Sequence, residues 1–292
     1  MSQGLIRLQD GALSCALEPV GAELKSLIFG GVEQLWAGDT PGLWAATAPI
    51  LFPVIGKSLN GGVDIGGRPY GMPQHGFARA SPFSVVRTSP ATCSLRLGAS
   101  PGSLAVYPFD FELVVTYSLT PRALEVTFEV ANLGASTMPF SLGWHPGFSR
   151  AAPRPGSPPT LLVFPRGDET FWGLQGEGFR IPNPLRLATT GGALLETDEL
   201  FANAAAYASE RPIPHVELVT PGRARVAIRS NFPTLALWSQ SGANFLCIES
   251  WQGTSALVNA SKDALEDRPG TVFLPLGGVA VRQAMIEFIV DQ

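Results

Sequence analysis

Cysteine and histidine are both scarce in these 292 residues, with three of each. Cys15, Cys93 and Cys247 are widely spaced and form no CxxC pair, which argues against a disulfide framework and against a thiolate zinc site. No His/Asp/Glu cluster has ligand spacing, so no metal is expected. A basic excess is missing too. Twenty Lys and Arg stand against 24 Asp and Glu, a net charge of −4, so nothing gathers phosphate backbones and nucleic acid is not an expected partner. The longest apolar stretch, residues 43–56 (LWAATAPILFPVIG), is too short to span a bilayer and carries Pro49 and Pro53, so no membrane partner is expected either. Residues 1–10 lack the basic end and apolar run of a signal peptide. A reducing, cytoplasmic setting fits these absences.

Long amphipathic helices are also absent. Glycine and proline are plentiful instead, 32 and 26 residues, which argues for many turns. The dominant period is two. Leu113, Val115, Tyr117 and Leu119 alternate with polar or smaller neighbours, and so do Leu124, Val126, Phe128 and Val130. Successive strand side chains point to opposite faces, so each run reads as a half-buried strand, and Thr120-Pro121 between them predicts a hairpin. Shorter runs of the same kind recur along the chain. Residues 279–290 are long enough for a helix and fit neither period cleanly. Residues 261–267 (SKDALED) predict one helical turn capped by Ser261 and stopped by Pro269-Gly270. Residues 53–73 and 151–159 read as long loops, where sites usually sit. The fold class expected is all-β, a large antiparallel sandwich with few short helices.

Among the histidines, His215 opens an alternating strand and reads as a solvated strand end. His75 lies in MPQHGFAR (residues 72–79), where a structural loop histidine and a functional one weigh equally. His145 follows an apolar run, and Pro146 stops that strand by removing a ladder donor. A strand end facing a loop suits a catalytic group, although a histidine bonded to nearby backbone explains the residue taken alone. The sharpest feature is FLCIESW (residues 245–251), in which Glu249 interrupts an apolar strand. A buried carboxylate is costly without a partner or a chemical role. Trp251, two residues on, shares its face. A carboxylate beside an indole suits a sugar, the acid meeting a hydroxyl and the ring packing on C–H groups. A structural ion pair with an arginine is the competing reading of Glu249.

Taken in order, PILFP (49–53) with Gly56-Lys57, MPQHGFAR, GWHPGF (143–148) and FLCIESW resemble the aldose 1-epimerases, or galactose mutarotase-like proteins. The short bacterial branch that includes hexose-6-phosphate epimerase-like members is the most similar, from about residue 20 onward. The resemblance implies a single galactose mutarotase-like domain over residues 1–292, a supersandwich with a sugar cleft on one sheet, and no cofactor. It implies that Glu249 takes the anomeric hydroxyl proton, that His145 protonates the ring oxygen, and that His75 bonds and polarises the sugar. Arg79 follows His75 as in that branch, while Lys57 falls where arginine is usual. Lys57 keeps the charge but not the planar fork. Ser250 replaces a usual proline, which should loosen Glu249, and Gly277-Gly278 replaces a glycine-acid pair. Residues 200–205 (LFANAA), resembling a segment in which the family places an acidic sugar ligand, hold no acid, only Asn203.

Anomer interconversion needs one group to remove the O1 proton while another protonates the ring oxygen. An ordinary glutamate, with a pKa of about 4.3, is ionised at neutral pH, and a histidine at about 6.5 can hold or release a proton there. These values make Glu249 the base and His145 the acid, at opposite ends of the acetal linkage. His75, Arg79, Lys57 and Trp251 are left to bind a small-molecule sugar. Two other functions compete. A non-catalytic sugar binder or sensor on the same fold would explain the departures at Lys57, Ser250 and Asn203. A glycoside hydrolase would need a second carboxylate, yet Asp168, Glu169, Glu177 and Asp198 lie in turn-rich surroundings and read as solvated. Edge strands leave monomer and homodimer both open.

Overall fold

Ten residues of strict alternation on each side of one turn build the centre of the molecule. Phe111–Thr120 and Ala123–Asn132 pair antiparallel with Thr120 opposite Ala123, the hairpin that Thr120-Pro121 predicts. Their inward side chains, from Phe111 and Val115 to Val126 and Phe128, are fully buried. Each such side chain contributes roughly 1.5–3 kcal/mol by leaving water. The ambiguous C-terminal segment is a strand, Val279–Ile289, and lies along the other side of Ala123–Asn132. The computed structural model describes residues 4–150, 159–174, 178–182, 184–195, 200–202 and 206–290.

Among the described residues two large antiparallel sheets dominate. The first has nine strands, in the order Ala193–Leu195, Leu161–Val163, His215–Val219, Arg225–Ser230, Val279–Ile289, Ala123–Asn132, Phe111–Thr120, Thr92–Gly98, Ser84–Thr88. The second runs Arg186–Ala188, Thr170–Leu174, Ala206–Ser209, Thr234–Trp238, Phe245–Gln252, Leu142–Trp144, Ile50–Leu51, and Gly147–Ser149 also pairs with Phe245–Gln252. A four-stranded sheet over residues 6–33 and two short strand pairs complete the set. One core joins the large sheets, with Phe128 packed near Trp144 and Phe52 near Phe111. The second sheet therefore has one face in the core (Tyr207, Leu235, Leu237, Leu246, Ile248) and one turned away from it. The expected all-β sandwich is what forms, and its single α-helix among the described residues is Pro101–Val106, capped by Ser100. No helix there is long and apolar enough to cross a membrane.

Several local expectations need correction. The helical turn predicted from Ser261 begins later, at Leu265–Asp267, and Ser261 does not cap it. Asp263 is drawn instead into a buried pair with Arg268, which outweighs the local capping choice. The supposed loop at 53–73 contains a strand pair, Gly62–Ile65 with Arg68–Gly71, turned by two positive-φ glycines, Gly66 and Gly67. Residues 151–158 of the second supposed loop lie outside the described residues. Glu169 is not solvated: it is buried and accepts from Arg211 at 2.9 Å. Asp168 accepts from the backbone of Gly192 at 2.7 Å, and Glu177 and Asp198 lie outside the described residues. His215 is half-buried beside Glu217 at 3.4 Å rather than solvated.

One buried ion pair shapes the wall near the site. Arg268 donates to both carboxylate oxygens of Asp263, at 2.8 and 2.6 Å, to the carbonyl of Ile55 at 3.2 Å and to the hydroxyl of Ser58 at 2.9 Å. Asp263 also accepts from the backbone of Leu59 at 2.9 Å. The chain on both sides of Lys57 is thus pinned by one guanidinium. Removing one partner of a buried pair strands the other charge, at a cost of about 3–5 kcal/mol. Asp263→Ala should lower the unfolding free energy by that much, and Asp263→Ala with Arg268→Met should recover part of it in the same chemical denaturation series.

Candidate active site

The register of one strand pair brings the two proton-carrying residues together. Gly143 and Trp144 lie opposite Trp251 and Ser250, and Gly147 lies opposite Cys247. The register is the same on both sides of His145 and Pro146, so His145 falls opposite Glu249. Pro146 interrupts the ladder because it has no N–H, but its carbonyl still accepts from Ile248 at 3.2 Å. Opposed residues share a face, and Nε2 of His145 meets Oε2 of Glu249 at 3.2 Å. That face is the one turned away from the core.

Small residues on this face leave room for larger neighbours to pack over them. Ala236 lies opposite Glu249 on the next strand, and Ala208 lies beyond it. Gly143 leaves room for Trp251: an added Cβ would come within 3.2 Å of its ring. Gly147 does the same for Trp44, whose ring would stand only 2.7 Å from such a Cβ. Trp44 stacks on His145, ring centres 4.9 Å apart, and Trp238 meets the same imidazole edge-on at 5.7 Å. Trp44 is fixed through its backbone, whose N–H donates to Gln240 and whose carbonyl accepts from Trp36.

His75 reaches the cleft from a loop clamped on the segment before Lys57. Its backbone N–H donates to Gly56 at 2.9 Å, and its carbonyl accepts from Phe52 at 3.2 Å. Gly76 follows at φ +74°, where an added Cβ would lie 2.1 Å from the Phe52 carbonyl oxygen, so only glycine lets the loop lie this close. His75 itself takes φ +65°. The Gly56 N–H donates to its Nδ1 at 3.1 Å, which leaves the proton of the neutral ring on Nε2, 3.3 Å from the Gln74 amide. The His75 ring meets His145 edge-on at 5.7 Å.

Burial sets the protonation of this group. It pushes Glu249 up to about 8, opposed by the indole N–H of Trp251, which donates to Oε2 at 2.8 Å. Burial likewise drives His145 well below its ordinary value, and the nearby His75 and Arg79 add to the shift. His75 falls to about 3, from burial first and the Arg79 charge second. Burial therefore opposes the ionised Glu249 expected at neutral pH and favours neutral imidazoles at His145 and His75. The two groups also touch each other rather than standing apart.

The cleft has a volume of about 440 Å³, within the range of small-molecule sites. Glu249, His145, His75, Arg79, Lys57 and Trp251 all line it. Lys57 is half-buried at its side, with Nζ 5.8 Å from the Phe179 ring. Arg79 is exposed on the one-turn helix Ala78–Ala80. Trp251 is buried, lines the cleft and donates its indole N–H to Glu249. Ser250 belongs to an unbroken strand, next to Glu249, which Trp251 and His145 both contact. Asn203 lies outside the described residues. Trp44, Trp238, Gln74 and Leu174 also line the cleft, and sequence reasoning missed them. Gln74 had a signal, since it precedes His75 in the same motif, whereas the two tryptophans stand in segments with no motif. No group of three or more potential metal ligands occurs among the described residues.

Comparison with known proteins agrees with this architecture. The sequence profile described as aldose 1-epimerase matches residues 4–266. A Lactococcus lactis subsp. lactis protein named LacX, chromosomal, is 28% identical across 93% of this chain and 95% of its own length. The crystal structure of a galactose mutarotase-like protein from Lactobacillus casei superposes with a TM-score of 0.88 at 28% identity, covering 98% of this chain and all of that one. A galactose mutarotase related enzyme from Lactobacillus acidophilus has the same TM-score at 26% identity, over 98% of this chain and 97% of its own. With the profile spanning nearly the whole sequence, the chain belongs to the aldose 1-epimerase family.

Proposed function

We propose that the chain interconverts the α and β anomers of a hexose or hexose phosphate by acid–base opening of the ring, without a cofactor. The observation that carries this reading is the 3.2 Å contact between Glu249 and His145 on the cleft floor. Oxygens O1 and O5 of a pyranose are both bonded to C1, so one compact proton-carrying pair can serve both. Glu249 is the only carboxylate among the described residues lining the cleft, which does not suit the two-carboxylate chemistry of glycoside hydrolysis.

The pair works with one proton. At rest that proton is on Glu249. Transfer across the contact to His145 creates the carboxylate and imidazolium that ring opening needs. Glu249 then takes the proton from O1, His145 gives its proton to O5, and the C1–O5 bond breaks. The pair is back in its resting form beside the open aldehyde. Rotation about C1–C2 presents the other carbonyl face, and the same transfers in reverse close the ring. The pair is neutral overall at each stage, so no net charge has to be buried. Neutral His75 offers its Nε2–H to a sugar oxygen, and Arg79 and Lys57 hold hydroxyls or a phosphate at the rim.

The activity requires a single proton on the pair. It should fall as pH rises through about 8, where Glu249 ionises, and on the acid side only well below the ordinary histidine value. A polarimetric pH profile of kcat/KM checks both limbs. A profile centred between about 4.3 and 6.5, the unperturbed values, would sink the shared-proton scheme. Glu249→Gln should lose on the order of 10²–10⁴-fold in rate with an unchanged melting temperature, and near-normal anomer exchange in that variant would remove Glu249 from the mechanism. Trp251→Phe removes the N–H that favours the carboxylate, so its alkaline limb should move to higher pH. Two-dimensional NMR exchange over a panel of free aldoses and aldose 6-phosphates selects the substrate class, and rates no faster than buffer for every sugar would leave a binder.

A further inference from the structure

Hydrogen bonds hold His145 from one end only. Its Nε2 meets Glu249 at 3.2 Å, whereas Nδ1 has no partner beyond the residue's own backbone. The rest of its seating comes from rings. His75 and Trp238 meet it edge-on, each with centres 5.7 Å away. Among the described residues Trp44 alone stacks on it, with centres 4.9 Å apart and planes inclined by 30°. Trp44 is itself built into place. Its backbone N–H donates to Gln240 at 2.9 Å and its carbonyl accepts from Trp36 at 2.7 Å. Its ring packs on Phe245 and Trp238, at 5.4 and 5.5 Å. A Cβ added at Gly147 would stand 2.7 Å from Cζ3 of Trp44, so the missing side chain there is what admits the ring.

The face of that ring matters because His145 changes charge in the proposed cycle. Burial works against an imidazolium, and His75 and Arg79 oppose it further. The titratable groups around the imidazole are Glu249 with the buried Cys247 two residues before it, His75 and Arg79 across the cleft, and Lys57 at the side. The segment carrying Trp44 and Pro49 and the strand ending at Trp238 line the cleft with no titratable group. Of all these, Glu249 alone offers negative charge, and it does so at the Nε2 edge of the imidazole. Over the ring plane the compensation comes from Trp44. An indole carries negative charge density on its face, and a cation within about 6 Å of the ring centre is attracted to it, more strongly where water is excluded. Tryptophan is the strongest such face among the side chains.

We propose that Trp44 is a positioning residue of the proton transfer, its indole face seating the imidazolium of His145 when the proton leaves Glu249. This rests on the anomerase reading for the stage at which the charge appears, but the pairing itself is read by titration without substrate. Fluorine withdraws density from the indole face while keeping the shape and burial of the ring. Progressively fluorinated tryptophans placed at position 44 of the full chain should lower the imidazole pKa of His145, followed by NMR of the three histidines, by about 0.4–1.5 pH units across the series. The same series should lower kcat for anomer exchange by about two- to thirtyfold with KM little changed. Trp44→Phe should keep much of the rate and Trp44→Leu should lose it. Gly147→Ala displaces the ring without altering it and should lower kcat as well. Circular dichroism and melting curves establish that each variant is folded. A His145 pKa that stays constant or rises along the fluorinated series means that Trp44 only shields the imidazole from water, and overturns the proposal. So does a lowered pKa with kcat unchanged, or near-normal kcat in folded Trp44→Leu. Absence of exchange in the unaltered chain removes the anomerase, and the titration then decides the pairing of indole and imidazolium by itself.

Discussion

The contact between His145 and Glu249 is the constraint around which the rest of the site is arranged. A carboxylate without exposure is expensive, and so is an imidazolium. In the proposed cycle the pair avoids both costs by sharing one proton between two neutral groups. That solution needs the two side chains to meet on one face, and a single antiparallel register supplies the meeting. A slip of one residue between the strands would turn one of the two into the core. The packed core on the opposite face, where Leu246, Ile248 and Trp144 are buried, is what makes such a slip prohibitive.

The same sheet shows why a cleft exists at all. Its two faces use different residue sizes. Toward the core it presents large side chains, and outward it presents Gly143, Gly147, Ala208 and Ala236 around the proton-carrying pair. Three tryptophans around the pair each hold a definite place. Trp44 stacks on His145, Trp251 orients Glu249, and Trp238 closes the side. The pair beside these rings is buried, and that burial raises Glu249. Positioning and proton affinity are therefore two consequences of one packing arrangement, and neither can be altered alone.

Much of this was legible in residues that obey short-range rules. Alternation located Phe111–Thr120 and Ala123–Asn132, and one acid in an apolar strand singled out Glu249. The motifs around His75 and His145 named the other cleft residues. What escaped depends on partners distant in the chain. Ser261 obeys the capping rule locally, yet Asp263 pairs with Arg268 and the turn starts elsewhere. Glu169 sits among turn residues but is buried by Arg211, 42 positions on. Trp44 has no local signal, because its place over His145 is fixed by Gln240, 196 positions away, and by the missing side chain of Gly147. The order of the proton affinities also escaped. Unperturbed values make glutamate the base and histidine the acid at rest, and only the collective desolvation of both inverts them.

That inversion bears on the division of labour between floor and rim. A pair that is neutral in each stage of the cycle makes no strong electrostatic demand on the sugar's own charge. The cations of the cleft, Lys57 and Arg79, stand apart from it, at the side and at the exposed mouth. Arg79 nevertheless adds to the depression of both imidazoles, so the rim is not electrically silent toward the floor. Its charge disfavours a second proton on the imidazoles, which in the proposed cycle favours the one-proton state on the acid side. A cationic rim can therefore attract an anionic or hydroxyl-rich substrate and stabilise the working protonation state of the floor at the same time. Lysine at position 57, where arginine is usual, changes the shape of the grip but preserves its sign.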